Sequence, residues 1–158
     1  MELKRVVVTG LGAVTPLGLN VDETWEALLN GVSGAGPITH FDASQFKTQF
    51  ACEVKNFDPT LYLDKKEVRK FDRYAQFAVA AAKEAVGDSA LDLEKVDKNR
   101  VGVIFAAGIG GIRTFEEEVG GYFTNIERGP KFNPFFIPKM IADIAAGHIS
   151  MIYGFHGP

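Results

Sequence analysis

Short unbroken apolar runs alternate along this chain with longer segments of helical periodicity. The runs at 5–9 and 100–107 are rich in apolar residues, and a glycine-rich turn follows each of them. Continuous runs of this kind are typical of strands covered on both faces in a parallel sheet. Helical spacing marks three other segments: 22–31, 64–86 and 112–123. The pattern therefore predicts one α/β unit in which helices cover a parallel sheet.

The segment 64–86 and the region before it carry further detail. The helix predicted at 64–86 is expected to break near Asp72, and its alanine-rich second part favours close packing between a sheet and another helix. Gly87 is expected to cap this helix. Between 32 and 58 the pattern is irregular, and only 50–54 predicts a strand, at a sheet edge.

A closing helix is predicted at 138–153, after a loop at 124–134. Pro138 suits a first helical turn, and Gly154 suits a helix stop. Apolar or small residues occupy nearly every side of this helix, so it is expected to be largely buried. A buried helix needs layers on both sides, yet the chain stops at a Gly-Pro turn directly afterwards. We therefore expect the chain to be a piece of a larger fold.

Composition sets broad limits on function. The 158 residues, 46% of them hydrophobic, are enough for one domain with its own core. A net charge of −3 gives no global attraction to nucleic acid or an anionic membrane, so neither is expected as a partner. The single cysteine, Cys52, excludes a disulfide within the chain. The sequence has no signal-peptide pattern and no membrane-length apolar run, and we expect a cytoplasmic protein.

The first glycine-rich turn raises the possibility of a dinucleotide site. Gly10 and Gly12 match the start of GxGxxG, but Thr15 stands where the third glycine belongs. The variant TGxxxGxG would need glycines at Val14 and Pro16. Glycines required for tight turns and close packing explain the letters better.

Cys52 and three histidines are the candidates for nucleophilic chemistry. Cys52 lies in strand-like sequence without clustered cations, so a small buried thiol is the favoured interpretation. His148 is expected to be a hydrogen-bonded core residue and His156 a turn residue. The spacing of these two and His40 with the acids suggests no metal site.

A basic cluster precedes and follows Asp72. Lys66, Arg69, Lys70 and Arg73 are spaced i, i+3, i+4 and i+7, which on a continuous helix forms one cationic stripe. Arg128 and Lys131 add two cations in a later loop. Such a local stripe can receive an acidic partner or a phosphate-bearing group, but a solvated helix face explains the spacing equally well.

Many short motifs, taken in order, resemble one enzyme family, the β-ketoacyl-acyl carrier protein synthases, and within it the synthase II type of bacterial fatty-acid synthesis. The resemblance covers essentially the whole chain. The motifs that carry it are VVVTGLGAVTPLG at 6–18, TW at 24–25, GVSG at 31–34, FD at 41–42, GIGG at 108–111, NPFFIP at 133–138, AGH at 146–148 and YGFHGP at 153–158.

The resemblance implies a thiolase-type fold, in which two similar halves stack into five αβαβα layers, and a homodimer. Residues 1–158 match most of the first half, and the second half is absent from the sequence. The family's nucleophilic cysteine follows the Gly-Pro at which this sequence stops, and its catalytic histidines and lysine belong to the second half. The chain therefore holds no catalytic residue, and we expect it to be inactive alone.

The resemblance also implies how substrate is held. Ile109 matches an isoleucine that lines the acyl pocket, and Phe136 matches a phenylalanine that closes this pocket across the dimer. The cations that match the carrier-protein docking surface are Lys66, Arg69, Lys70 and Lys131, together with Arg128, which a small length difference displaces.

The activity implied for the complete protein is fatty-acid chain elongation. An acyl group is condensed with malonyl-acyl carrier protein in a decarboxylative Claisen reaction, and the site requires no metal or redox cofactor. Two alternatives remain open at the level of sequence. One is a non-catalytic module for carrier-protein binding and dimerisation, and the other is an unrelated nucleotide-binding α/β domain.

Overall fold

The computed structural model describes residues 3–129 and 131–158. Met1, Glu2 and Pro130 lie outside the described residues, and with them one position of the loop predicted at 124–134. The regular elements are α1 (Val21–Leu29), β1 (Ala35–Pro37), β2 (Phe50–Cys52), α2 (Lys65–Val68), α3 (Arg73–Asp88), α4 (Ile112–Thr124), α5 (Phe136–Met140) and α6 (Ile144–Tyr153).

The chain divides into two units. The first comprises Met1–Asp58 and Lys83–Ala90, and the second comprises Pro59–Ala82 and Leu91–Pro158. Helix α3 contributes its beginning to the second unit and its end to the first. All candidate site residues lie in the second unit.

In the first unit, α1 confirms the helix predicted at 22–31. The Asn20 side chain accepts a hydrogen bond from the Glu23 N–H at 2.8 Å, which satisfies one of the unpaired donors at the helix start. Gly31 follows the helix with φ +64°. The apolar side chains of Trp25, Leu28 and Leu29 are exposed, so this helix leaves its apolar face uncovered.

The irregular region of the first unit contains a small antiparallel sheet. Strand β2 pairs with β1 in the register Ala35 opposite Cys52 and Pro37 opposite Phe50. The strand predicted at 50–54 is therefore confirmed for Phe50–Cys52.

In the second unit, the core lies between α3 and α6. Ala75, Ala78 and Val79 of α3 pack with Ala145 and Ile149 of α6, and Phe71 completes the cluster. The small alanine side chains allow this close packing, as the sequence predicts. The predicted break near Asp72 is also confirmed, because α2 ends at Val68 and α3 begins at Arg73. The cap predicted at Gly87 is wrong, since α3 continues through it to Asp88.

The closing helix differs from its prediction in two ways. It is split into α5 and α6, because Ile141 has an extended conformation with ψ 136°. The break directs two carbonyl groups towards other partners: the Met140 carbonyl accepts from Gly111 N–H at 2.9 Å, and the Ile141 carbonyl accepts from the Tyr74 hydroxyl. Helix α6 is also buried on one side only, since Met151 is exposed. The predicted stop is confirmed, with Gly154 in the left-handed conformation.

The two predicted parallel strands do not form within the described residues. Neither 5–9 nor 100–107 has strand structure, and Val6 and Ile104 are 89% and 97% exposed. The physical reason is that a strand needs hydrogen-bonding neighbours, and a strand buried on both faces needs a layer on each side. Val103 packs against the core cluster, so only one side of the second run is covered. A single backbone bond, from Gly157 N–H to the Val101 carbonyl at 3.0 Å, joins that run to the last residues.

Candidate functional site

The candidate docking cations around α2 lie on a short and interrupted helix. Lys66 and Arg69 are exposed, whereas Lys70 is half-buried. The Lys70 ammonium group donates to the Glu67 carboxylate at 2.7 Å and lies 5.8 Å from the centre of the Phe135 ring. These contacts fix Lys70 in place, and Lys66 and Arg69 present their charges to solvent.

The predicted continuous stripe is wrong for Arg73. Because α2 ends at Val68, the i+7 relation between Lys66 and Arg73 does not hold across the break. The Arg73 guanidinium instead lies 5.1 Å from the centre of the Phe77 ring, on α3. Of the four cations predicted to form the stripe, three remain close together in the chain: Lys66, Arg69 and Lys70.

Arg128 and Lys131 share a cavity at the end of α4. The cavity has a volume of about 360 Å³, and Tyr122 and Asn125 also line it. Two acids on its wall already have partners: the Glu117 carboxylate accepts from the Arg113 Nε–H, and the Glu118 carboxylate accepts from the Asn133 N–H, both at 2.8 Å. The structure thus brings these two predicted cations together at one concave surface, while Lys70 lies over Phe135, four residues after Lys131.

Ile109 projects from a turn whose path is tightly constrained. The side chain is 69% exposed. Gly110 has φ +83°, a conformation that favours glycine. A Cβ at Gly111 would lie 2.4 Å from the Lys139 carbonyl oxygen, so no larger residue fits there. The turn therefore presents Ile109 to solvent beside two glycines whose conformation and surroundings disfavour larger residues.

Phe136 belongs to a small aromatic stack. Its ring is stacked on Phe132 with the centres 5.7 Å apart, and Phe115 lies 6.3 Å away in a tilted arrangement. Tyr122 stacks on the other member, Phe132, at 5.6 Å. The placement of Phe136 and Ile109 in an acyl pocket stays a prediction.

One buried polar pair near this turn was not found by sequence reasoning. Asp72 and Thr114 are both buried, and the Thr114 hydroxyl donates to the Asp72 carboxylate. The other carboxylate oxygen accepts from the Tyr74 N–H at 3.2 Å, which caps the start of α3. Aspartate directly before a helix is a recognisable cap signal, but its bond to Thr114 spans 42 positions and leaves no local pattern.

The cysteine and histidine predictions have mixed outcomes. Cys52 is exposed in β2, so the expectation of a buried thiol is wrong, because β2 lies at the edge of a two-stranded sheet. His148 is a core residue as predicted and stacks on Phe71 at 3.6 Å. The hydrogen bond expected for this side chain is not made by Nε2, which has no partner among the described residues. Burial lowers the pKa of His148, and the nearby Glu67 charge opposes this shift only in part.

The first glycine-rich turn is occupied by carboxylates of its own unit. Asp88 accepts from the Leu11 N–H, and Glu84 accepts from the N–H groups of Ala13 and Val21, all at 2.8 Å. A Cβ at Gly10 would lie 2.3 Å from the Ala85 carbonyl oxygen. The glycine serves close packing, as predicted, and negative charges hold the backbone donors that a nucleotide phosphate would need.

In the part of the chain that the structure describes, no helix is long and apolar enough to cross a membrane. Across residues 3–129 and 131–158, no three histidine, cysteine, aspartate or glutamate side chains are grouped to hold a metal ion.

Comparison with known proteins gives consistent relatives. The chain is 48% identical over its whole length to 3-oxoacyl-[acyl-carrier-protein] synthase 2 of Coxiella burnetii, and 44% identical to the protein of the same name from Vibrio harveyi. It spans 38% of the length of each of these relatives.

Among solved structures, one chain superposes with a TM-score of 0.76 at 27% identity, covering 99% of this chain and 41% of its own length. It belongs to a complex described as a type II PKS acyl-carrier protein with its ketosynthase bound to the hexaketide. A second, described as the ishigamide ketosynthase/chain length factor, gives a TM-score of 0.79 at 27% identity and covers 96% of this chain and 38% of its own length. These likenesses show that the chain is part of a thiolase-like α/β fold, as predicted.

The family model described as the β-ketoacyl synthase N-terminal domain matches residues 3–158. This chain belongs to the β-ketoacyl synthase family.

Proposed function

We propose that the chain is part of an enzyme that elongates acyl chains in fatty-acid synthesis. The observation that carries the proposal is the identity of 42–48% to 3-oxoacyl-acyl carrier protein synthases 2 along essentially the whole chain. The reaction is the condensation of an acyl group with malonyl-acyl carrier protein, which makes the protein an acyltransferase. The chain spans 38% of the length of those relatives. From the family resemblance, we assign substrate binding to residues of this chain and the bond-making step to residues outside it.

The chemistry implied for the complete protein balances without an added cofactor. A cysteine thiolate beyond Pro158 attacks the thioester of the acyl-carrier protein, and the carrier leaves as a thiolate that takes a proton from solvent. Malonyl-carrier protein then loses CO₂, and the electron pair left on carbon attacks the enzyme-bound thioester. The carbon–sulfur bond breaks, the cysteine thiolate returns, and the product is a 3-oxoacyl group on the carrier. Cys52, His40, His148 and His156 take no part.

The carrier protein docks on the exposed cations of the second unit. Lys66 and Arg69 provide solvent-facing charge beside the fixed Lys70, and Arg128 and Lys131 provide two more at the cavity. Separated cations of this kind suit an acidic protein surface, with the phosphate of its pantetheine arm as a further anion. The relative in the ketosynthase–carrier complex supports a carrier protein as the partner.

The acyl chain extends past Ile109 towards Phe136, which a second copy supplies in a homodimer. An exposed isoleucine on a glycine turn, and an aromatic stack in which Phe115 and Phe132 remain exposed, are surfaces that an alkyl chain or a second copy would cover. We place the complete protein in the cytoplasm, where the carrier-loaded substrates would be made.

The experiment is a condensation assay on the complete protein. It is mixed with acyl-carrier protein and malonyl-carrier protein, and carrier-bound products are followed by mass spectrometry. The proposal predicts a 3-oxoacyl carrier protein extended by two carbons, with release of CO₂. Carrier binding without any such product would favour the non-catalytic binding module instead. Saturable binding of a nucleotide, with no affinity for the carrier, would refute both.

A further inference from the structure

We propose that Asp72 is a positioning residue for acyl-chain length, because its carboxylate fixes the Ile109 turn, residues 108–111, against the start of α3. The proposal rests on the proposed function, since it takes Ile109 to bound the acyl pocket. It concerns residues of the second unit only.

The Asp72 carboxylate joins two helices that are distant in sequence. Asp72 is 8% exposed and Thr114 is 5% exposed, so both side chains are removed from water. One carboxylate oxygen accepts from the Tyr74 N–H within α3, and the other accepts from the Thr114 hydroxyl in the first turn of α4. Buried polar groups that satisfy each other in this way hold a single arrangement, because separating them leaves both unpaired.

The Ile109 turn packs directly against this pair. A Cβ at Gly111 would lie 3.0 Å from the Asp72 carboxylate oxygen Oδ2, the same oxygen that accepts from Thr114. The Gly111 N–H also donates to the Met140 carbonyl at 2.9 Å. Gly111 therefore lies against both the Asp72 carboxylate and the end of α5.

Tyr74 completes the connection. Its N–H is bonded by Asp72, and its hydroxyl donates to the carbonyl of Ile141, directly after α5. The buried Asp72 carboxylate thus contacts Thr114 directly and is connected to Ile141 through Tyr74. Because Ile109 lies two positions before Gly111, its location follows from this arrangement.

A helix cap alone does not explain the geometry. Capping α3 requires one carboxylate oxygen, and the oxygen that faces Tyr74 supplies it. The bond to Thr114 is additional and acts across the fold. Losing it would let the turn shift while the cap remains, and a shift comparable to one methylene changes discrimination between alkyl chains by about tenfold.

The test compares matched threonine variants on α4 in the complete protein. Thr114→Val removes the hydroxyl and keeps the shape. Thr114→Ser keeps the hydroxyl, and should restore wild-type behaviour. Thr124→Val is the control, because its hydroxyl bonds to the Gly120 carbonyl of its own helix. Should Thr114→Val fail to fold, Asp72→Ser replaces it, since the serine hydroxyl can still cap α3 but offers no second oxygen to Thr114.

Two readouts are taken. The first is hydrogen exchange of the amides at 108–111, which we expect to become about tenfold faster in Thr114→Val. The second is the ratio of kcat/KM for carrier proteins loaded with acyl chains that differ by two carbons, which we expect to change about tenfold. Thr124→Val and Thr114→Ser should alter neither readout.

Unchanged exchange or an unchanged ratio in Thr114→Val would overturn the proposal. So would equal effects of Thr114→Val and Thr114→Ser, which would indicate packing and not the hydroxyl. A wild-type protein that elongates no acyl chain would refute the proposed function separately. In that case the exchange measurement alone decides whether Asp72 positions the turn.

Discussion

The helical core of the second unit and the two runs at 5–9 and 100–107 are both rich in apolar residues, but only the core is buried. Val79 on α3 is 1% exposed, whereas Val6 and Ile104 are almost fully exposed. A helix satisfies its own backbone hydrogen bonds, so two helices need only bring one side of each together. A strand depends on neighbours for those bonds. The helices of this chain therefore form through local interactions, whereas the parallel strands predicted at 5–9 and 100–107 depend on hydrogen-bonding neighbours.

The largest difference in stability is expected when the same charge is placed in the helical core and in the run at 5–9. Val79→Asp buries a carboxylate among apolar side chains and should lower the free energy of unfolding of the chain by about 4 kcal/mol or more. Val8→Asp, at an exposed position, should change it by less than about 0.5 kcal/mol. Urea unfolding followed by circular dichroism measures both. Similar losses at the two positions would mean that 5–9 is packed after all.

Gly111, just before α4, and Gly120, within α4, should change the stability in opposite directions when each is replaced by alanine. Gly111→Ala places a Cβ against the Lys139 carbonyl and should cost about 1–3 kcal/mol. Gly120→Ala lies inside α4 in open space, and should stabilise the chain by about 0.5–1 kcal/mol. Thermal unfolding of the two variants would reveal the signs. A neutral Gly111→Ala would show that the Ile109 turn is not clamped.

The buried His148 should make the stability of the helical core depend on pH. Burial lowers its pKa, so the unfolded chain binds a proton that the folded chain resists. Stability should therefore be intact above about pH 6.5, the usual histidine pKa, and should fall below it, by at most about 1.4 kcal/mol per pH unit from this one group.

The matched variants for this pH effect are His148→Gln and His156→Gln. The first should remove the extra loss between pH 6.5 and 5, because no buried imidazole remains to be protonated. The second replaces an exposed histidine and should keep the loss. Identical pH profiles for the wild type and His148→Gln would contradict the assignment.

The smallest effect on stability is expected at the Glu67–Lys70 ion pair. Both side chains are about 40% exposed, so Glu67→Gln should cost less than about 0.5 kcal/mol. The same substitution removes a negative charge between Lys66 and Arg69, and should strengthen carrier-protein binding about twofold at low salt. Calorimetric titration against the wild type checks the second expectation, and weaker binding would argue against docking at α2.

Sequence reasoning succeeded where the determining contacts are local. The span and end of α1, the break before α3, the edge strand at Phe50 and the stop at Gly154 all follow from neighbouring residues. It failed where distant groups decide. The split at Ile141 depends on donors from Gly111 and Tyr74, and the two runs depend on ladder partners. For the site, the chain positions of the cations were readable, but the contact of Arg73 with the Phe77 ring and the Asp72–Thr114 bond were not.

The most direct test of the central claim is the affinity of the complete protein for acyl-carrier protein at low and high salt. Three proteins are compared: the wild type, Arg69→Glu, and the control Lys47→Glu, which reverses an exposed cation of the first unit. We predict that wild-type binding weakens steeply between 50 and 200 mM salt, roughly as screening of exposed charges requires. Arg69→Glu should weaken it about tenfold at low salt, and Lys47→Glu should not. Equal affinities for all three proteins, independent of salt, would contradict docking on this surface.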